Sequence, residues 1–236
     1  NTSGTSNFIA GVNAGNSITS GGNYNTVVGD EAGTAITTGD ENTFIGYQSG
    51  DGTTTAIKNT AVGAYSLGDN TTGDNNTAIG RQALKFNTTA DNNTAVGFHA
   101  LQANTTGSFN VSLGSYTLDA NTTASHNTGI GYNSLSANTT GTRNVALGSL
   151  ALDANTTAND NTAIGYEALG ANTTGGFNTA VGRNALTANT TGANHVAVGA
   201  SAMAANTTGV QNTAVGEVSL TANTTGNTNA AFGIGA

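Results

Sequence analysis

Cysteine, proline and tryptophan are all missing from this chain of 236 residues, and charge is scarce. Without cysteine there is no disulfide, no thiolate metal ligand and no thiol nucleophile. Without proline, the bends must come from glycine and asparagine, which tolerate positive φ. Charged residues make up 8% of the chain, against about 25% in an average soluble domain. Only five are Lys or Arg, so no basic stripe exists for a nucleic-acid backbone or an anionic membrane surface. The 13 carboxylates bring the net charge to −8, which serves mainly solubility. No run of 18 apolar residues occurs, so no helical segment of this chain inserts into a membrane. The opening Asn1-Thr2-Ser3-Gly4 has no signal-peptide pattern and reads as a mature form or a fragment.

What the chain does have is a period. Gly29, Gly46, Gly63, Gly80, Gly97, Gly114, Gly131, Gly148, Gly165, Gly182, Gly199, Gly216 and Gly233 follow one another at intervals of 17 residues, and Gly11 precedes them by 18. The extra residue is expected near Tyr24. Each glycine closes a five-residue core such as Asn76-Thr77-Ala78-Ile79-Gly80. Counting slots from that Asn, slot 4 is aliphatic, as in Ile79, Val96, Leu113, Ile130 and Ile164. Slot 9 is leucine, as in Leu84, Leu101, Leu118, Leu135 and Leu169. Slots 12 to 14 read Asn-Thr-Thr, beginning at Asn70, Asn87, Asn104, Asn121, Asn138, Asn155, Asn172, Asn189, Asn206 and Asn223.

Slots 4 and 9 are too sparse for a helical stripe, and the glycines would break one. Short strands fit, with Thr77 and Ile79 on one face and Ala78 on the other. One turn cannot bury its own apolar face, but stacked copies can. The expectation is an all-β, parallel β-solenoid of about 14 turns, a single domain over 1–236. Residues 1–58 are its irregular first turns and 59–236 its regular repeats. Like residues would stack at about 4.8 Å per turn, with an inner ladder of slots 4 and 9 and an Asn ladder at the bend. The small residues of slot 3 then form an opposite face along which coils approach one another. That favours self-association, as a homotrimer or an end-to-end filament. In residues 1–58, Gly33 and Gly50 stand at slot 9 instead of Leu, and Ile18, Ile36 and Ile57 are expected to fill the core another way.

The Asn-Thr-Ala-Val-Gly cores, for instance Asn93-Thr94-Ala95-Val96-Gly97 and Asn212-Thr213-Ala214-Val215-Gly216, resemble the head repeats of bacterial trimeric autotransporter adhesins of the Yersinia type. The resemblance covers essentially the whole chain, although those heads use a shorter period. It implies a left-handed β-roll, three chains side by side, extracellular or on a cell surface, and attachment to a host, matrix or cell-surface receptor.

Enzymatic chemistry has little to work with, and no cofactor is implied. His99, His126 and His195 occupy different slots and read as solvated decoration. Asp119 with Asp153 and Asp74 with Asp91 are the carboxylate pairs considered, the latter for a Ca²⁺ ion. Exposed aromatics at slots 6, 7 and 17, such as Tyr47, Tyr65, Phe98, Phe109, Tyr116, Tyr132, Tyr166 and Phe177, offer a protein- or sugar-facing strip or a cover for the coil corner. Each Asn-Thr-Thr is formally a glycosylation acceptor. The Thr columns of slots 13 and 14 suggest an alternative function, ice binding.

Overall fold

The structure, a computed structural model, describes residues 4–236. All its regular structure is β, and no helix occurs among the described residues. It forms two compact units, residues 1–123 and 124–236, each a parallel β-solenoid with one three-residue strand per turn. The first unit holds β1 (Phe8–Ala10), β2 (Thr26–Val28), β3 (Thr43–Ile45), β4 (Thr60–Val62), β5 (Thr77–Ile79), β6 (Thr94–Val96) and β7 (Val111–Leu113). The second holds β8 (Thr128–Ile130), β9 (Val145–Leu147), β10 (Thr162–Ile164), β11 (Thr179–Val181), β12 (Val196–Val198), β13 (Thr213–Val215) and β14 (Ala230–Phe232). Within each unit, successive strands pair in parallel with slot on slot, as in Thr77↔Thr94 and Thr162↔Thr179. Residues 1–58 obey the same rule, since Phe8 pairs with Thr26 and Thr26 with Thr43. The inserted residue lies a few positions ahead of Tyr24. Thr19 bonds Thr37 at a separation of 18, whereas Asn23 bonds Asp40 at 17, which brackets it between Thr19 and Asn23.

Three corners of the turn lie in the left-handed region, at slots 7, 9 and 17, and from Leu67 onward the slot 9 residue there is no longer glycine. The slot 9 residue is the costly one, because it is leucine: Leu84, Leu101 and Leu169 have φ of 51–54°. That conformation costs about 1–2 kcal/mol. Full burial of the side chain returns about 1.5–3 kcal/mol, and Leu84, Leu101, Leu118, Leu135 and Leu169 are all fully buried. Burial therefore wins at slot 9.

The strand is turned the other way from expectation. Ala78, Ala95, Ser112, Ala146 and Ala163 of slot 3 are fully buried. The slot 4 residues expected in the core point outward: Ile79 is 39% exposed and Leu113 47%, while Val96, Ile130 and Ile164 are half-buried. The reason is room. Slot 3 faces slot 9 inside the coil, and a small side chain there leaves space for the slot 9 leucine.

The first turns prove the point by exchange of volume. There slot 3 is large, as Ile9, Val27 and Phe44, and slot 9 is Gly15, Gly33 and Gly50. A Cβ added to Gly50 would come within 2.6 Å of the Phe44 ring, and one added to Gly33 within 3.2 Å of Val27 Cγ1. Ile18 and Ile36 take the place of the slot 12 asparagine and are buried, whereas Ile57 is only half-buried. A four-chain cycle tests the exchange. Phe44→Ala is expected to lose about 3–5 kcal/mol, Gly50→Leu alone to clash, and the pair together to recover most of both losses. Denaturant midpoints read the coupling, and strictly additive losses would refute it.

Candidate functional site

The candidate sites are the buried ladders, the corners and the outward faces. Two asparagine columns run through each unit. In slot 1, the Asn93 backbone N–H donates to Asn76 Oδ1 at 3.0 Å, and Asn93 Nδ2 donates to the Gly107 carbonyl at 2.9 Å. In slot 12, Asn104 Nδ2 donates to Asn87 Oδ1 and to the same Gly107 carbonyl, both at 2.9 Å. The slot 15 carbonyl thus receives both columns and closes the turn. Identical spacing lets every amide find its partner one rung away, which is why polar side chains are buried here without penalty.

The burial of the slot 12 column fits its reading as an Asn ladder rather than as a set of glycan acceptors. Asn70, Asn87, Asn104, Asn121, Asn138, Asn155, Asn172, Asn189 and Asn206 are fully buried, and Asn223 is half-buried. A glycan on one of the buried nine would remove an Nδ2 donor and force the coil open.

His195 is likewise a ladder member and not solvated decoration. It occupies slot 1 of its turn, where the other turns have asparagine, and is 1% exposed. Its imidazole copies the carboxamide. Nδ1 accepts the Asn212 backbone N–H at 3.2 Å, and Nε2 lies 2.6 Å from the Gly209 carbonyl, to which it must donate. Both roles are satisfied only in the neutral ring, and burial holds its pKa below the ordinary value. The other groups against it, Asn178, Asn206, Gly209 and Asn212, are uncharged. The unfolded chain takes up a proton near pH 6.5, so this residue makes folding weaker as pH falls through that value. Asp51, pushed up to about 6 mainly by burial, acts in the opposite sense, as do Asp119 and Asp153, also raised by burial. Comparison with His195→Asn isolates the histidine. The variant is expected to lose less stability than the parent between pH 7.5 and pH 5, and parallel pH profiles of the denaturation midpoint would exclude the effect.

Other polar candidates are structural too. Asp91 Oδ1 accepts the Asp74 N–H at 2.7 Å, and Asp74 Oδ1 accepts the Ile57 N–H at 2.8 Å. No group of three metal-ligating side chains occurs among the described residues. Asp119 and Asp153 fall in separate units. His99 stacks on Phe98 at 4.0 Å, and His126 is exposed in slot 17.

Four aromatics of the first unit pack in pairs, while Phe109 is 54% exposed. Tyr47 meets Tyr65 edge-on at 5.3 Å, Phe98 meets Tyr116 at 5.3 Å, and Arg81 lies 5.6 Å from the Phe98 centroid. Lys85 sits 4.7 Å from the Phe86 ring and 5.7 Å from that of Tyr65. These rings are occupied by neighbours and cover a corner of the coil. Tyr166 and Phe177 in the second unit are exposed.

Two outward surfaces remain. The strand face presents slots 2 and 4, which from β2 to β13 are Thr or Val beside Val, Ile or Leu, and carries no charged residue in slots 2 to 4 of any strand. The bend presents the two threonine columns. Slot 13 hydroxyls are bonded between turns, as Thr88 Oγ1 to the Thr105 carbonyl at 3.1 Å. Slot 14 hydroxyls are exposed. No family model matches the sequence, and no curated protein or solved structure matches it either.

Proposed function

We propose that this chain is a structural and adhesive segment of an extracellular rod, self-associating through its strand face, and that three copies meet there. The observation that carries this reading is the strand face itself. Ile45, Ile79 and Leu113 in the first unit and Leu147 in the second are each more than a third exposed on charge-free strand faces. Large aliphatic side chains in such an array favour burial against a like surface.

Slot 2 adds support. It holds threonine in most strands and valine in β7, β9 and β12. The two residues share a shape but not a hydroxyl, so what the slot preserves is packing. The number three comes from the resemblance of the repeat core to trimeric adhesin heads, as does attachment to a receptor or matrix on the cell exterior. Here slot 4, not slot 3, is the surface through which copies meet.

Ice binding is the alternative. It requires more than one free hydroxyl column on a rigid face. Slot 13 is committed to the backbone and slot 2 alternates with valine, so slot 14 alone would have to serve. Thermal hysteresis above a plain protein control would establish that reading in place of ours.

Sedimentation velocity tests the self-association. The expected species has three times the 23.1 kDa chain mass. A monomer across the accessible concentration range would overturn the proposal. For the adhesive part, particles coated with the protein should be retained on matrix-coated surfaces, and retention equal to that of uncoated particles would exclude it.

A further inference from the structure

Slot 14 combines exposure with constancy. It is threonine in twelve turns, from Thr38, Thr55 and Thr72 to Thr225, and serine at Ser20 in the first. Each of these residues is exposed. Other exposed positions drift freely: slot 17 holds Glu41, Lys58, Phe109, Arg143 and Phe177 in different turns. An exposed slot that never drifts needs a reason.

The structure supplies one for slot 13 and none for slot 14. Thr88, Thr156 and Thr190 of slot 13 donate their hydroxyls to the carbonyl one turn on, at 3.1, 3.2 and 3.1 Å. The slot 14 hydroxyls of Thr72, Thr89, Thr174 and Thr191 make no such side-chain bond, although the Thr72, Thr89, Thr174 and Thr191 amides do donate to a slot 13 carbonyl. A backbone preference for a β-branched residue would be met by valine, as it is at slot 2. Valine never appears at slot 14. What is kept there is a hydroxyl.

We propose that the slot 14 threonines are acceptors for O-linked sugars. From Thr72 to Thr225 each lies in the same local sequence, Asn-Thr-Thr followed by Gly or Ala, so one transferase would meet the same acceptor at each of these ten rungs. The buried slot 12 asparagines cannot serve in the folded chain, which makes the adjacent threonine the reachable acceptor of the motif. In the transfer, Thr Oγ attacks C1 of a nucleotide-activated sugar. The bond from C1 to the diphosphate breaks, the nucleoside diphosphate leaves with the electron pair, and the hydroxyl proton passes to a base of the transferase.

Phosphate is the other group a hydroxyl column could carry, and charge argues against it. Each phosphate would add about −1.5 to −2 to a chain already at −8, on rungs about 4.8 Å apart. A neutral sugar brings no such repulsion. The inference is independent of self-association, because the sugar sits on the bend and not on slots 2 to 4.

Intact-mass spectrometry of the full chain recovered from the cells that make it provides the test, with the same chain from a host lacking protein glycosylation as reference. The expected result is a series of increments of one sugar residue, mapped by electron-transfer fragmentation to slot 14. Thr89→Val with Thr106→Val should remove up to two increments and leave the β-sheet circular dichroism unchanged. A mass equal to the reference would overturn the proposal. So would phosphate increments, or sugars that map to slot 13 or slot 2.

Discussion

Replacing Gly165 with alanine is expected to cost about 2–6 kcal/mol, from strain of about 1–3 kcal/mol and overpacking of about 1–3 kcal/mol. The register glycine has φ of +131°, and an added Cβ would lie 2.6 Å from both the carbonyl carbon and the carbonyl oxygen of Gly182 in the next turn. Backbone φ of this kind is essentially glycine's alone. The obstructing atoms are backbone of the neighbouring rung, so no side chain can swing away. Rungs in a solenoid are stabilised mainly by their neighbours, and a break here weakens the pairing of β10 with β11. A melting temperature lower by about 10 °C follows from the usual relation for chains of this size. Gly170→Ala is the matched control. Its added Cβ meets nothing closer than 3.4 Å, and slot 10 holds side chains in other turns, so its midpoint should stay within about 0.5 kcal/mol of the parent. Equal melting of the two variants would show that the glycine column is not what sets the rung.

Ile79→Lys combined with Leu113→Lys is expected to abolish self-association while each coil stays folded. Both side chains point outward from the strand, so neither change disturbs the interior. In an assembled face each would lose about 1.5–3 kcal/mol of burial and leave an unpaired ammonium against an apolar partner. The same loss recurs in every copy. Since 1.4 kcal/mol is a factor of ten in affinity, the shift exceeds a thousandfold and the double variant should sediment as a monomer. Asn75→Lys, an exposed slot 17 change on the bend, should leave the assembly intact. A double lysine variant that still sediments with its parent would move the contact surface away from the strand face. If instead the variant loses its β-sheet signal, the single Ile79→Ser change removes the aliphatic contact with less disturbance, and the same sedimentation comparison decides.

The first of these effects is written in the spacing of the glycines. The second is not written there. Period-two alternation separates Thr77 and Ile79 from Ala78 but is silent on which side is enclosed, and hydropathy favours the wrong one. Ile79 is the better hydrophobe, yet Ala78 is the one inside. The trade of Phe44 against Gly50, and of alanine against leucine elsewhere, was a signal available in the repeats, because a constant sum of volumes at slots 3 and 9 means that the two face each other. His195 could also have been found from register alone, since it falls where every other turn has asparagine.

By itself the sequence determined the period, the strands, the stacking of like on like and the burial of the slot 9 leucines, because one chemical pattern repeats every 17 residues and a single turn cannot hide it. Only the tertiary structure decided what lies inside. Closing the coil leaves a narrow interior, and the stacked rungs satisfy Asn93 and Asn104 through amides one rung away. A buried amide is paired only after the next turn exists, so no local rule could place these asparagines in the core and turn the larger aliphatic side chains out to the surface.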